Sequence, residues 1–261
     1  MADFSFAGFN LNDGVNYLIT ETNYRGFGTR RLDAAKLARR PGQKLFYTDF
    51  DKKEIDFHGY IVSTTASGLQ GLIDTLQQNV ALREQPLVIN DDIYGVRTYT
   101  ATCSQLALPN QNYNQTFLPY SGKFLASNPF AYGPLLSASG QVASGVITFS
   151  GTTTISGNVF AEPTISLYPT SLAAGDSGIR AFQVGYTPAG ENLTVSGVLS
   201  YTSPISLNYA NYTVTVSGIN GDFNGAFSRW EPGTTAFTIT TSSGLNNSYN
   251  YVLSYQPRYY T

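Results

Sequence analysis

The chain has little of what most enzyme and metal chemistry requires. Among 261 residues there is one histidine, His58, one cysteine, Cys103, and one tryptophan, Trp230. A single histidine rules out a His-rich metal site, and any Ser-His-Asp arrangement would have to include His58. A single cysteine excludes an internal disulfide. Charged residues make up only 12% and the formal net charge is -2, so no uniform field is present to draw in a polyanion. No stretch approaches the eighteen or so consecutive apolar residues that span a bilayer, and membrane insertion is not expected. The opening MADFSFAGFN lacks a basic n-region and an apolar h-region, so a cleaved export signal is not expected either. Asn-X-Ser/Thr triplets at Asn114, Asn192, Asn211 and Asn246 matter only in a secreted eukaryotic setting and are read as composition noise. No glycine-rich phosphate loop and no calcium loop occurs at the required spacing, so no cofactor is implied.

What is abundant is aromatic and turn-forming: 19 Tyr, 16 Phe and 25 Gly. These favour strands and turns. The charge is unevenly placed. Twelve of the 15 Lys and Arg precede Gly133, and only Arg180, Arg229 and Arg258 follow it. A shift of this size, at the run NPFAYGP (128–134), predicts two domains, 1–133 and 134–261.

In the first part, EIDFHGYIV (54–62) alternates, with Ile55, Phe57 and Ile61 on one face and Glu54, Asp56 and His58 on the other, which predicts a half-buried strand. The period then changes. Leu69, Leu72, Ile73, Leu76 and Val80 recur at helical spacing, and Ser67 or a neighbouring threonine can cap the helix. A strand over VRTYTATC (96–103) would place Tyr99, Ala101 and Cys103 together, which makes Cys103 a core residue rather than an activated thiol. The second part carries short strand candidates at 146–149, 164–168, 193–201, 212–216, 236–240 and 249–260, separated by Gly, Ser, Asn and Pro. That pattern predicts an antiparallel β-sandwich. The fold class is therefore mainly β: an N-terminal β-rich domain with one α-helix, and a C-terminal sandwich.

Seven cations, Arg25, Arg30, Arg31, Lys36, Arg39, Arg40 and Lys44, surround a Pro41-Gly42 turn suited to a projecting hairpin. Two readings stay open. The hairpin is a solvated element with surface pairs worth roughly 0 to 1 kcal/mol each, or Arg30, Arg31, Arg39, Arg40 and Lys44 meet carboxylates of a neighbouring protomer, for which guanidinium groups are suited. A lumen facing DNA is a third use of the same charges. The aromatics raise a separate question. Trp230 in FSRWEPG, with Tyr249 and Tyr251 on the final strand, are candidates to stack on a sugar ring, against the plainer reading that such rows fill a sandwich core. The acids of the second part, Glu162, Asp176, Glu191, Asp222 and Glu231, show no spacing that sets up a glycosidase pair.

The order of elements resembles the distal tail protein family of siphophages. The segment 40–82, RPGQKLFYTDFDKKEIDFHGYIVSTTASGLQGLIDTLQQNVAL, is similar to that family's basic hairpin, strand, "G-x-I" and a helix of the form "L-x-x-L-I-D-x-L". SGNVFAEPTISL (156–167) is similar to its strand pair around a proline, and GDFNGAFSRWEPGTTAFTI (221–239) to its "G-D-F … P-G-x-N-x-I" segment. Thr234 and Thr235 depart from it, standing where many members carry Asn. The resemblance implies a non-enzymatic virion protein of the tail tip, assembled in the bacterial host cytoplasm. It implies a homo-oligomeric, hexameric ring of N-terminal domains between the tail-tube protein and the tail-tip hub or fibre proteins, with galectin-like sandwiches outside. The genome would pass through the ring without specific binding, and a host-surface glycan is the alternative ligand.

Overall fold

The computed structural model describes residues 3–26, 28, 30–36, 43–109, 116–143, 146, 148–171, 179–186, 190–199, 204–241 and 248–260. The chain divides into two compact units, Met1–Gly133 with Tyr259–Thr261, and Pro134–Arg258. Both are built of antiparallel strands, and the described residues hold one α-helix.

The first unit contains β1 (Asp3–Phe6), β2 (Phe9–Asn10), β3 (Tyr17–Thr22), β4 (Arg30–Lys36), β5 (Gln43–Phe50), β6 (Lys53–Val62), α1 (Ala66–Val80), β7 (Gln85–Asp91), β8 (Gly95–Ala107), β9 (Phe117–Ala126) and β10 (Ala131–Tyr132). Its main sheet runs β2-β1-β7-β8-β9-β6-β3, while among the described residues β4 and β5 pair only with each other. The alternation read over 54–62 is that of β6: Ile55, Phe57 and Ile61 are fully buried and His58 faces out. Strands β3 and β9 close on it so tightly at Gly59 that a Cβ there would lie 2.2 Å from the Leu18 carbonyl oxygen. Glycine is the residue that fits. Thr65 caps α1, its Oγ1 accepting from the Gly68 N–H at 3.0 Å, and Leu69, Leu76 and Val80 turn into the core. There Phe57 stacks on Phe124 with centroids 5.0 Å apart, and Phe6 lies 4.7 Å from the same ring.

The second unit contains β11 (Leu136–Val142), β12 (Thr148–Ile155), β13 (Thr164–Ser171), β14 (Ile179–Tyr186), β15 (Glu191–Leu199), β16 (Ile205–Asn208), β17 (Thr213–Val216), β18 (Ile219–Asn220), β19 (Asp222–Gly225), β20 (Gly233–Thr241) and β21 (Ser248–Tyr255). They form two sheets, β11-β21-β13-β16-β17-β18 and β12-β20-β14-β15-β19. Inward residues of both, among them Ile165, Leu167 and Leu253 from one and Val184, Val195 and Ile239 from the other, share a single core. This is an antiparallel sandwich held by period-two alternation.

Candidate functional site

The basic segment folds as a hairpin. Strands β4 and β5 pair from Arg30 opposite Phe50 to Lys36 opposite Gln43, with a register shift between Asp33 and Ala34. Arg30 and Arg31 are consecutive on β4, opposite Phe50 and Asp49 of β5. Lys44 sits on β5 opposite Ala35, and Arg31 is the register partner of Asp49. Arg39, Arg40 and the Pro41-Gly42 pair lie outside the described residues.

Two cations flank this hairpin along the chain, Arg25 before β4 and Lys53 after β5, and each has partners within the first unit. Arg25 Nη2 is 2.5 Å from Asp91 Oδ2, Arg25 Nε donates to the Tyr24 hydroxyl at 3.0 Å, and the guanidinium lies 5.2 Å from the Tyr94 ring centroid. Lys53 is only 2% exposed and donates from Nζ to the carbonyls of Tyr24 (2.6 Å) and Gly26 (2.7 Å). Burial lowers its pKa to about 8. Lys53 did not stand out in the sequence. The available signal was its phase: it is two residues before Ile55 and four before Phe57, on the inward side of β6.

The outer face of β6 carries a polar network. Lys123 Nζ meets Glu54 at 2.8 Å and Asp56 at 3.4 Å, Lys52 meets Glu54 at 2.9 Å, and Asn23 donates to Asp56 at 2.7 Å. Hydrogen bonds from the two lysines hold the Glu54 carboxyl down at about 2. His58 is exposed on this face, in register with Glu21 on β3 and Ser121 on β9. Those three residue types would suit a hydrolytic triad, yet no hydrogen bond joins their side chains. No group of three potential metal ligands occurs among the described residues. Cys103 is half-buried and its thiol is pushed up by burial, which disfavours the reactive thiolate.

Burial argues against two of the three glycan-contact candidates, Trp230 and Tyr249. Trp230 is 0% exposed, stacked on Tyr186 at 5.3 Å, and bonded through its backbone to Ala161 in both directions, at 3.0 and 2.8 Å. Tyr249 is buried, and Tyr251 packs against Phe149 and Phe237. Trp230 and Tyr249 are core, turned inward by the Trp230 bridge and by the alternation of β21, while Tyr251 is half-buried at the edge of that core. Of the two Glu-Pro acids, Glu162 is paired with Arg258 at 2.5 Å, and the Glu231 N–H donates to the Tyr186 hydroxyl at 2.8 Å. The exposed rings of this unit lie elsewhere. Tyr212 (53%) and Phe223 (44%) meet Phe227 edge-on, at 5.7 and 5.1 Å.

No family model and no curated protein sequence matches the chain. Solved structures do. The crystal structure of the SPP1 Dit protein, described as a paradigm of the hub adsorption apparatus in phages that infect Gram-positive bacteria, superposes over 99% of both chains with a TM-score of 0.75 at 14% identity. The chain has a Dit-like fold. A component of the phage P2 baseplate in its activated conformation with calcium aligns over 97% of this chain and 98% of its own, with a TM-score of 0.54 at 10% identity. At these identities the likeness is one of fold. The Dit-like fold agrees with the resemblance that the segments 40–82, 156–167 and 221–239 carry.

Proposed function

We propose that the chain is a structural, non-enzymatic hub protein of a long-tailed phage. Its first unit assembles into a hexameric ring between the tail tube and the tail-tip hub or fibre proteins, and the second is a galectin-like sandwich displayed on that ring. The genome passes through the ring without sequence-specific contact, and the protein resides at the virion tail tip after assembly in the bacterial cytoplasm. The observation that carries this reading is the Dit-like fold over 99% of the chain. The β4–β5 hairpin supports it, since among the described residues its two strands pair only with each other. Negative-stain images of the purified full chain test the reading. Closed sixfold rings are expected, and a field of single protomers at micromolar concentration would overturn it.

A second reading is favoured by one observation, the exposed pair Tyr212 and Phe223. Aromatic faces with neighbouring amides suit a neutral pyranose, and residues 204–228 contain one charged side chain, Asp222. In this reading the sandwich binds a host-surface glycan through these two rings rather than through Trp230, Tyr249 and Tyr251. A glycan array with the full chain should give binding that a Tyr212→Ala/Phe223→Ala double variant loses. Signal unchanged in that variant, or no signal from the unaltered chain, removes the lectin role.

A further inference from the structure

The first unit is completed by residues that follow the second: it comprises Met1–Gly133 and Tyr259–Thr261. Those late residues meet the open end of the basic hairpin, where Arg30 of β4 faces Phe50 of β5. The Phe50 ring lies 4.9 Å from Tyr260 and 5.9 Å from Phe130, centroid to centroid, and Phe130 and Tyr260 are 5.3 Å apart. Tilted and edge-on ring pairs at these separations attract beyond the area they bury. The chain entering β4 is fitted to the same place, since a Cβ on Gly28 would lie 2.9 Å from the Pro129 Cβ and 3.1 Å from the Lys52 carbonyl oxygen. Among the described residues β4 and β5 pair with no third strand, so no ladder hydrogen bonds tie them to the main sheet, and contacts at the root take that part.

Tyr259 is held in another way. The Arg97 guanidinium lies over its ring, 3.5 Å from the centroid. Arg97 is only 8% exposed, donates from Nη1 to the Val96 carbonyl at 2.9 Å, and keeps its Nε buried with no hydrogen-bond partner. Two effects oppose one another there. A desolvated guanidinium gains from a ring face, while an unmet buried donor is a cost that water would relieve. The seated arrangement therefore has an open competitor, in which Tyr259 lifts and Arg97 is hydrated.

We propose that Tyr259 and Tyr260 are a latch for the β4–β5 hairpin: seated, they fix its root to the first unit, and lifted, they release it. Every contact in this latch lies within the first unit of one protomer, so it does not depend on ring formation. Its consequence is that order in residues 30–50 depends on residues 259 and 260, which the chain reaches only after passing through Pro134–Arg258.

Hydrogen exchange of the full chain tests the latch, at a dilution where native mass spectrometry shows protomers alone. In a Tyr259→Ala/Tyr260→Ala variant the amides of β4 and β5 should exchange on the order of tenfold faster than in the unaltered chain, because exchange follows local opening. Amides of β1, β6 and β9 should keep their rates. Tyr259→Phe/Tyr260→Phe retains both rings and should retain slow exchange in the hairpin. Tyr260→Leu, which keeps bulk at the root without the ring, should give the same selective acceleration in smaller measure. Tyr168→Ala, at an exposed position of β13 in the second unit, should leave the hairpin unchanged. Hairpin exchange that is unaltered in the alanine variant overturns the proposal. So does acceleration of hairpin and main sheet alike in both the alanine and the leucine variants, or phenylalanine variants that exchange as fast as alanine ones. Protomers at every concentration would overturn the ring reading and leave this measurement, and its meaning, intact.

Discussion

Lys53 shows what one inward-facing charge does in a small β domain. Its ammonium is removed from water and compensated only by two carbonyls and the face of Tyr99, 5.3 Å away, so the charged form is disfavoured and the folded pKa falls from 10.5 to about 8. Below pH 8 both folded and unfolded chains carry the proton and the burial penalty is present in full. Between pH 8 and 10.5 the unfolded chain binds the proton and the folded chain does not, so this group's contribution to stability rises with pH. Each unit of the shift corresponds to about 1.4 kcal/mol. Urea unfolding of the protein and of Lys53→Met across that range should show the unaltered chain gaining on the variant as pH rises. A pH-independent difference would contradict the assignment. The comparison cancels the tyrosines, of which Tyr17, raised to about 12 by burial, titrates higher. Trp230 teaches a related lesson about single residues. Its neighbours Arg229 and Glu231 are exposed and polar, so the local sequence suggested a surface ring. The backbone bridge to Ala161, a partner far along the chain, is what buries it. Conversely the exposure of Tyr212, in the turn before β17, and of Phe223, on the edge strand β19, is set by where strands end and carries no local sequence signal.

Elements with strong internal period were legible, and those defined by partners were not. The helix over 66–80, the strand β6 and the inward alternation of Tyr99 and Ala101 on β8 follow from spacing alone. The short strands β1, β2, β16, β18 and β19 carry two to four residues each, too few for a period to register, and they exist because longer neighbours supply their hydrogen bonds. Strand β14 reads as ordinary mixed sequence, yet it is central to its sheet, between β15 and β20. The Pro41-Gly42 pair predicts the hairpin, whose strands β4 and β5 pair; the turn itself lies outside the described residues. The hairpin's use rests on charge. Under the interface reading, reversing Arg39 and Arg40 to Glu should shift sedimentation of the full chain from the ring toward free protomers. Unchanged sedimentation would return the hairpin to a solvated surface element.

At the scale of the whole molecule, two separate cores divide the labour. One is organised around Phe57 and Phe124, the other around Trp230 and its ring partners, and each has its own complete set of inward strands. The sharp drop in Lys and Arg after Gly133 follows the division: the charged unit carries the hairpin and the buried Lys53, and the nearly uncharged unit carries the exposed Tyr212 and Phe223. The polar network on the outer face of β6 is internally paired, the Cys103 thiol is half-buried with its pKa raised, and Glu162 is paired with Arg258. The central claim is that the first unit closes a ring. Native mass spectrometry of the full chain at low micromolar concentration measures this most directly. The account predicts one dominant species at six times the 28.3 kDa protomer mass without any added ligand, and a spectrum of protomers alone would contradict it.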